Sequence, residues 1–422
     1  MKTEAARSIT DTRPADAVAR WPTHRPVAAV LAGDPSGRSR FSLLAEPTEI
    51  IQLDTLAELQ EHAVARPGRR ATPFGPGWTA SIAYHAGFEI EPTAGDRSCI
   101  HDPAVTLARV DHGWVHDNRR GTWAPFGDPP AIDLCNDRAS FSLGEVHGLD
   151  RQQRYESAVA RAVGLIREGD VFQVNLTHAL SASFAGSPRG LFAALAGRLA
   201  PWHGCYLEWD NRAIASASPE LFLEVSSNGQ VTTRPMKGTR PGDDRSLAHN
   251  PKDAAELAMI VDLMRNDLGR VCRFGSVRVD EGRAIEPHGG TDIAPHVWQG
   301  VATVTGELRD GVGIGELLHA TVPPGSITGA PKVRAMQIIH GLERDLGFGN
   351  ASRGAYCGAT GFIGDDGSAS LAVTIRTAIV EGGVCRYPVG AGIVADSDPH
   401  GEWLETLVKA RPFLDLCEGG AP

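Results

Sequence analysis

The sequence offers no cysteine pattern to read. Its seven cysteines, at 99, 135, 205, 272, 357, 385 and 417, are odd in number, scattered, and never arranged as Cys-x-x-Cys. This argues against a zinc site or a disulfide framework and for reduced thiols, hence a cytoplasmic protein. Long apolar runs are missing too: no stretch approaches the ~20 residues a membrane helix needs. Residues 1–21 mix Lys2, Arg7 and Arg13 with Glu4, Asp11 and Asp16 and lack an apolar segment. They read as a loosely ordered tail, not a signal or transit peptide. There is no basic excess either. A net charge of −10 without a basic run argues against nucleic acid as a partner, and an anionic ligand would have to be attracted locally, by a metal ion or a few placed cations. Repeats and low-complexity segments are absent. What remains is ordinary globular composition, 42% apolar and 22% charged, on 422 residues, enough for one to three domains.

Two textures divide the chain. From about 22 to 135, short apolar runs such as 41–44, 50–53 and 78–84 read as strands, broken by Pro67-Gly68 and Pro76-Gly77, with a short helix over 55–65. Residues 125–130, rich in Pro and Gly, form a loop that links to the second part. That part opens on a helix for which Asp150 is the candidate cap, since Tyr155, Val159, Val163 and Ile166 recur at helical spacing. A strand over 171–177 follows, placing Val171, Gln173, Asn175 and Thr177 on one face. Asn250-Pro251 starts a helix running to about 272, and Asp398-Pro399 starts one running to about 414.

Several side chains in these elements suit chemistry. Arg234-Pro235-Met236-Lys237-Gly238-Thr239 holds one lysine between a proline and a glycine, and such a lysine, if desolvated, becomes a nucleophilic amine; a solvated loop lysine is the plainer reading. Glu402, Glu405 and Lys409 share one helix face, as a solvated charged stripe also would. Glu256 stands before an apolar run from Leu257 to Leu263, which predicts a buried helix in which a carboxylate must be paired or bound to a cation, and Asp253 lies one turn earlier. Arg376 ends a strand-like run over 368–377, where it is either an edge-strand surface residue or a bidentate partner for a carboxylate. Glu220 is a candidate proton donor, or else the ion-pair partner of Arg234 or Arg240.

The motifs Ser218-Pro219-Glu220-Leu221-Phe222, Arg234 to Thr239, 259–271, 324–336 and 390–397 resemble, in the same order, those of the chorismate-utilising enzymes. Lys237 is similar to the lysine of aminodeoxychorismate synthase component I, where anthranilate synthases typically carry alanine. The resemblance is strong over about 150–413 and weak before it. It implies an α/β (α+β) fold, one large unit of two packed antiparallel sheets flanked by helices. Residues 22–140 would be an N-terminal segment adding strands, and 147–416 the chorismate-binding catalytic region.

The resemblance also implies roles. Lys237 would be a nucleophile and Glu220 an acid. Gly238, Thr239, His296, Ser326, Tyr356, Arg376, Gly390, Ala391, Gly392 and Lys409 would bind substrate, with Lys409 alternatively neutralising the glutamates. Glu256 and Glu405, with Glu402 and Asp253, would hold Mg2+. Gln173 stands where the isochorismate and salicylate synthases carry a lysine that activates water, so water addition is disfavoured. The family usually reads His-x-Val-Ser where this chain has His296-Val297-Trp298-Gln299. Neither Cys205 nor Cys357 lies in the Gly-x-Cys-x-Gly elbow of a glutamine amidotransferase, and no lyase-like domain follows 414, so ammonia would come free or from a separate glutaminase subunit. The expected activity is amination of chorismate at C4. Alternatives are direct C2 amination, giving anthranilate or aminodeoxyisochorismate, and a non-catalytic subunit whose pocket near Leu43 to Pro47 binds a tryptophan-like effector.

Overall fold

The computed structural model describes residues 7–34, 39–63, 73–98, 100–241, 247, 250–291, 294–348 and 352–419. Two large antiparallel sheets carry the fold. One runs through Phe141–Leu143, Gln173–Gly186, Val384–Ile393, Thr377–Glu381, Arg212–Ser218, His203–Trp209, Ala28–Ala32, Phe41–Ala45, Gly113–Asp117 and Thr122–Phe126. The other runs through Met236–Pro241, Ala294–Glu307, Gln230–Thr233, Leu221–Val225, Ala369–Val373, Ala359–Gly364, Gly77–Ile82, Val105–Val110 and Glu49–Leu53. Strands from before residue 135 sit in both: Ala28–Ala32 pairs with His203–Trp209, and Gly77–Ile82 with Ala359–Gly364. The strands that build the site are, in chain order, β1 (Gln173–Gly186), β2 (Arg212–Ser218), β3 (Leu221–Val225), β4 (Met236–Pro241), β5 (Ala294–Glu307), β6 (Ala369–Val373), β7 (Thr377–Glu381) and β8 (Val384–Ile393). Four helices serve it: α1 (Gln152–Arg167), α2 (Pro251–Gly269), α3 (Lys332–Leu342) and α4 (Pro399–Glu418).

Helix α1 buries the stripe its spacing predicts, Tyr155, Val159, Val163 and Ile166, in a core shared with Leu257, Ile260 and Met264 of α2 and Met336 and Ile339 of α3. Burying each such side chain contributes roughly 1.5–3 kcal/mol. Its N-cap is Arg151, without a side-chain cap bond, and a 3-10 turn over Leu149–Arg151 takes the place assigned to an Asp150 cap. Helix α4 starts where Asp398-Pro399 places it and runs on to Glu418: the Asp398 side chain accepts from the Gly401 N–H as its cap, and Pro399 occupies the first turn.

Three expectations fail on tertiary grounds. Of the presumed loose tail, residues 7–21 are built into the protein. Arg7–Ser8 pairs with Asp133–Leu134, Pro14–Ala19 is helical, and Ala17, Val18 and Trp21 pack in a core with Leu191, Phe192 and Leu195. Helix α2 is not buried all round, since Ala258, Asp262, Arg265 and Asn266 are exposed while Leu257, Ile260, Met264 and Leu268 are buried. Pro125 belongs not to a loop but to the edge strand Thr122–Phe126, where its missing N–H costs no ladder bond.

The chain changes sheet at two places that matter most. Between β2 and β3 it passes from one sheet to the other through Pro219-Glu220; between β6 and β7 it returns through residues 374–376. The two crossings are bonded together. The Val373 N–H donates to the Glu220 carbonyl at 3.1 Å, the Ala217 N–H to the Arg376 carbonyl at 3.1 Å, and the Ser218 hydroxyl to the Val373 carbonyl at 2.6 Å. Glu220 and Arg376 therefore meet where the sheets join, although 156 residues part them (376 − 220).

Candidate active site

At this junction lies a cavity of about 550 Å³ walled by Glu220, Lys237, Gly238, Ser326, Tyr356, Arg376, Gly390, Gly392, Lys409, Asp253, Glu256, Glu402 and Glu405. Of the residues singled out from sequence, Ala391 is not in the wall. Its side chain is fully buried in the core, so only its backbone remains available for the role expected of it. The side chains of Thr239 and His296 lie outside the described residues.

Lys237 is aimed by a bulge. Strand β4 pairs Lys237 with Gly300 of β5 and Thr239 with Gln299, and the register shifts between them at Gly238, whose φ of +76° lies in the left-handed region. A side chain at 238 would also strike Leu247 Cδ1 at 2.6 Å and crowd Asp253 Cγ at 3.1 Å. The lysine's far end rests on Gly392 of β8: a Cβ there would lie 2.8 Å from Lys237 Nζ and 2.7 Å from Gln173 Nε2. Burial lowers the Lys237 pKa from its ordinary value; Glu256 opposes this, Lys409 adds to it, and Glu220 and Glu405 oppose it further. The result is an amine more readily neutral than a surface lysine.

Glu220 is 4% exposed, and burial pushes its pKa up to about 7, against the Ser326 hydroxyl bond, the Lys237 charge and the Met236 N–H, which lower it. Such a carboxyl carries a proton near neutrality and can donate it. Arg234, the alternative partner, is bound to Glu286 at 2.6 Å. Tyr356 is buried, which raises its pKa well above the ordinary value and keeps it a neutral hydroxyl donor.

Arg376 is not on a strand. It sits between β6 and β7 with φ +53°, its Nη1 donating to the Lys409 carbonyl at 3.0 Å. The run over 368–377 is thus two strands of different sheets joined by the crossing that carries the arginine. Lys409 Nζ bonds the Gly390 carbonyl at 2.8 Å and Glu405 Oε1 at 2.7 Å, tying α4 to β8.

Four carboxylates, Asp253 and Glu256 from α2 and Glu402 and Glu405 from α4, line the cavity. Glu402 Oε1 accepts from Ser397 Oγ at 2.5 Å. Among the described residues no three His, Cys, Asp or Glu side chains converge as a preformed metal cluster. A hard cation that keeps waters and takes one or two carboxylates plus substrate oxygens needs no such cluster, so this all-oxygen set fits Mg2+.

Sequence reasoning missed Asn175, Asn250 and Val408 in the wall. Gln299, noticed only as a departure from the family pattern, also lines the cavity, 5% exposed and with its Oε1 unpartnered. Gln173, beside Lys237, is 1% exposed, and neither amide atom has a hydrogen-bond partner. Strand alternation was the available signal, since residues 173 and 175 share a face. The contact at Gly392 makes a clean test. Gly392→Ala should leave the melting temperature within a few degrees, because the added methyl meets only side-chain ends, yet cut turnover on the order of 100-fold by displacing Lys237. Thermal melting and steady-state rates on one preparation check this.

Cations, carboxylates, a carboxyl of raised pKa and a desolvated amine converging on one cavity mark an enzyme active site. The family model for chorismate binding enzyme matches residues 40–415, and the chain belongs to that family. It is 40% identical to aminodeoxychorismate synthase component 1 of Salmonella typhimurium over 91% of this chain and 85% of that protein. It is 38% identical to anthranilate synthase component 1 of Aquifex aeolicus over 68% of this chain and 55% of that protein. It is 33% identical to aminodeoxychorismate synthase of Streptomyces griseus, of which it spans 51%. The crystal structure of anthranilate synthase component I from Streptococcus pneumoniae superposes with a TM-score of 0.74 at 28% identity, covering 90% of this chain and 93% of that one. The fold expected from the sequence, two antiparallel sheets flanked by helices, is the fold found. Each of the six described cysteines is unpaired, and among the described residues no helix is long and apolar enough to cross a membrane. In the segment near which an effector pocket is expected, Leu43, Leu44 and Ala45 are buried strand residues, and Leu43 and Ala45 pack against Phe74, Val110, Val115 and Phe362.

Proposed function

We propose that the chain aminates chorismate at C4, giving 4-amino-4-deoxychorismate, with Lys237 as a transient covalent nucleophile. The observation that carries this reading is the position of the Lys237 amine: it rests against Gly392 in the cavity wall, and its proton affinity is reduced by burial. Direct amination at C2 requires no such amine.

In this reading Arg376 and the Tyr356 hydroxyl hold the enolpyruvyl carboxylate, with the backbone amides of Gly390 to Gly392. Glu256 and Glu405, with Glu402 and Asp253 nearby, would hold Mg2+, which when bound supplies positive charge for the ring carboxylate. The neutral Lys237 amine adds to C2, the ring double bonds shift, and the C4–O bond breaks. Glu220 gives its proton to the departing oxygen, which leaves as water. Ammonia then adds at C4, the double bonds shift back, and the C2–N bond breaks, so that Lys237 takes back its electron pair. The enolpyruvyl group stays attached throughout. Ammonia comes from a separate glutaminase subunit, and the enzyme works in the cytoplasm. Whether the product feeds folate supply or a secondary-metabolite pathway does not alter the chemistry at the site.

The deciding experiment incubates the purified chain with chorismate, Mg2+ and ammonium at alkaline pH, where NH3 is present as a nucleophile. The expected product has the mass of aminodeoxychorismate and yields 4-aminobenzoate on addition of aminodeoxychorismate lyase. Release of anthranilate, or an aminated product that the lyase does not convert, would move the assignment to C2 amination. Unchanged chorismate would favour a non-catalytic subunit. Glutamine in place of ammonium should give no turnover, since the sequence carries no amidotransferase elbow; glutamine-dependent amination by the single chain would refute the separate-subunit assignment.

A further inference from the structure

We propose that the buried Arg353–Glu343 ion pair is a positioning device for the cavity wall formed by Asn175, Ser326 and Tyr356; the proposal rests on reading that cavity as the chorismate site. Arg353 is 3% and Glu343 6% exposed. The guanidinium donates to both Glu343 oxygens, at 2.9 and 2.6 Å, to the Ile327 carbonyl at 2.8 Å and to the Asn175 carbonyl at 2.5 Å. Its Cζ lies over the Tyr84 ring, 4.8 Å from the centroid. Glu343 Oε1 also accepts from the backbone N–H of Thr177 at 2.8 Å and from its hydroxyl at 2.9 Å. One buried pair thus joins strand β1, the C-cap of α3, the turn Gly325–Ile327 and the loop that begins at 353.

Each attachment point adjoins a group in the wall. Asn175 and Ile327 line the cavity themselves. Ser326, next to Ile327, hydrogen-bonds Glu220. Tyr356 is three residues beyond Arg353, and Cys357 between it and the following strand has φ +62°, a conformation that the surrounding contacts must hold. Stability alone is a poor reason for the arrangement, because apolar residues often replace a buried ion pair without loss. Apolar residues have no directed donors, however, and cannot fix two backbone carbonyls of separate segments at hydrogen-bond distance. The sequence gives no hint of this pairing, since neither residue belongs to the motif matches around the catalytic lysine.

The test separates positioning from folding. Arg353→Met alone strands a buried carboxylate and should destabilise strongly. The double variant Arg353→Met/Glu343→Gln removes both charges while leaving an acceptor for Thr177, so its melting temperature should return toward wild type. Its kcat/KM for chorismate should stay reduced on the order of 100-fold, because the wall is no longer held to within an ångström. The loss should fall mainly on kcat, through the Ser326–Glu220 contact. Arg353→Lys, which keeps the charge on Glu343 but cannot reach both carbonyls, should fold and show at least a tenfold loss, and it decides the matter if the double variant does not fold. Wild-type kcat/KM in a folded double variant, or in Arg353→Lys, would overturn the proposal. Failure of wild-type protein to turn over chorismate in the same assay would instead overturn the functional reading.

Discussion

Lys237→Ala should lower the rate of C4 amination on the order of 10³-fold, with little change in KM for chorismate. In the proposed mechanism the amine acts in the chemical steps, whereas Arg376, Tyr356 and a carboxylate-held cation would contact the substrate before reaction, so the loss should fall on kcat. The space vacated by the amine lies beside Gly392 and Gln173, and in the proposed mechanism it is the place from which C2 is attacked, so ammonia should enter there. Residual product should therefore shift toward C2-aminated species, detectable by chromatography and mass. The pH profile supplies an independent check. The folded pKa of Lys237 lies below its ordinary value, so the nucleophilic form grows as pH rises. Glu220 must be protonated to act, and with a pKa of about 7 its contribution is lost as pH rises through that value. The two groups share one site and titrate as a pair, giving a bell whose limbs are macroscopic. With saturating NH3, Lys237→Ala should abolish the rising limb and Glu220→Gln the falling one. A Lys237→Ala enzyme with wild-type kcat and the same C4-aminated product would remove the lysine from the mechanism.

Removing divalent metal should abolish turnover, and Glu256→Gln or Glu405→Gln should each reduce it by at least ~100-fold without unfolding the protein. The two residues come from α2 and α4, and neither substitution empties a core position: Glu405 is half exposed and Glu256 is partly buried. Glu405 is also the partner of Lys409. Glu405→Gln should therefore free Lys409 to compete for substrate carboxylate, and excess Mg2+ should restore less activity to it than to Glu256→Gln. Chelation followed by graded Mg2+ addition, read by turnover and by thermal shift, checks both claims. Full activity in excess chelator would end the metal assignment.

How much of this was legible beforehand varies by element. Helices α1, α2 and α4 could be read because periodicity, Asn-Pro and Asp-Pro starts and an aspartate cap all act within a few residues. Lys237, Glu220 and the acidic pairs could be singled out because motif and helical spacing are local. Arg376 could be named as a cation but not placed, since a run that looks like one strand is cut by a change of sheet. The packing of residues 7–21 depends on a helix that begins at 188, and the hold of Arg353 on Asn175 spans 178 residues. Nothing in the intervening chain encodes either distance. The sequence alone determined which groups can do chemistry, because amide, amine and carboxyl character belong to the residue. Tertiary structure decided which of them are desolvated and adjacent, because burial and Coulombic coupling depend on strand order and on glycines such as Gly392 that let a distant amine come close.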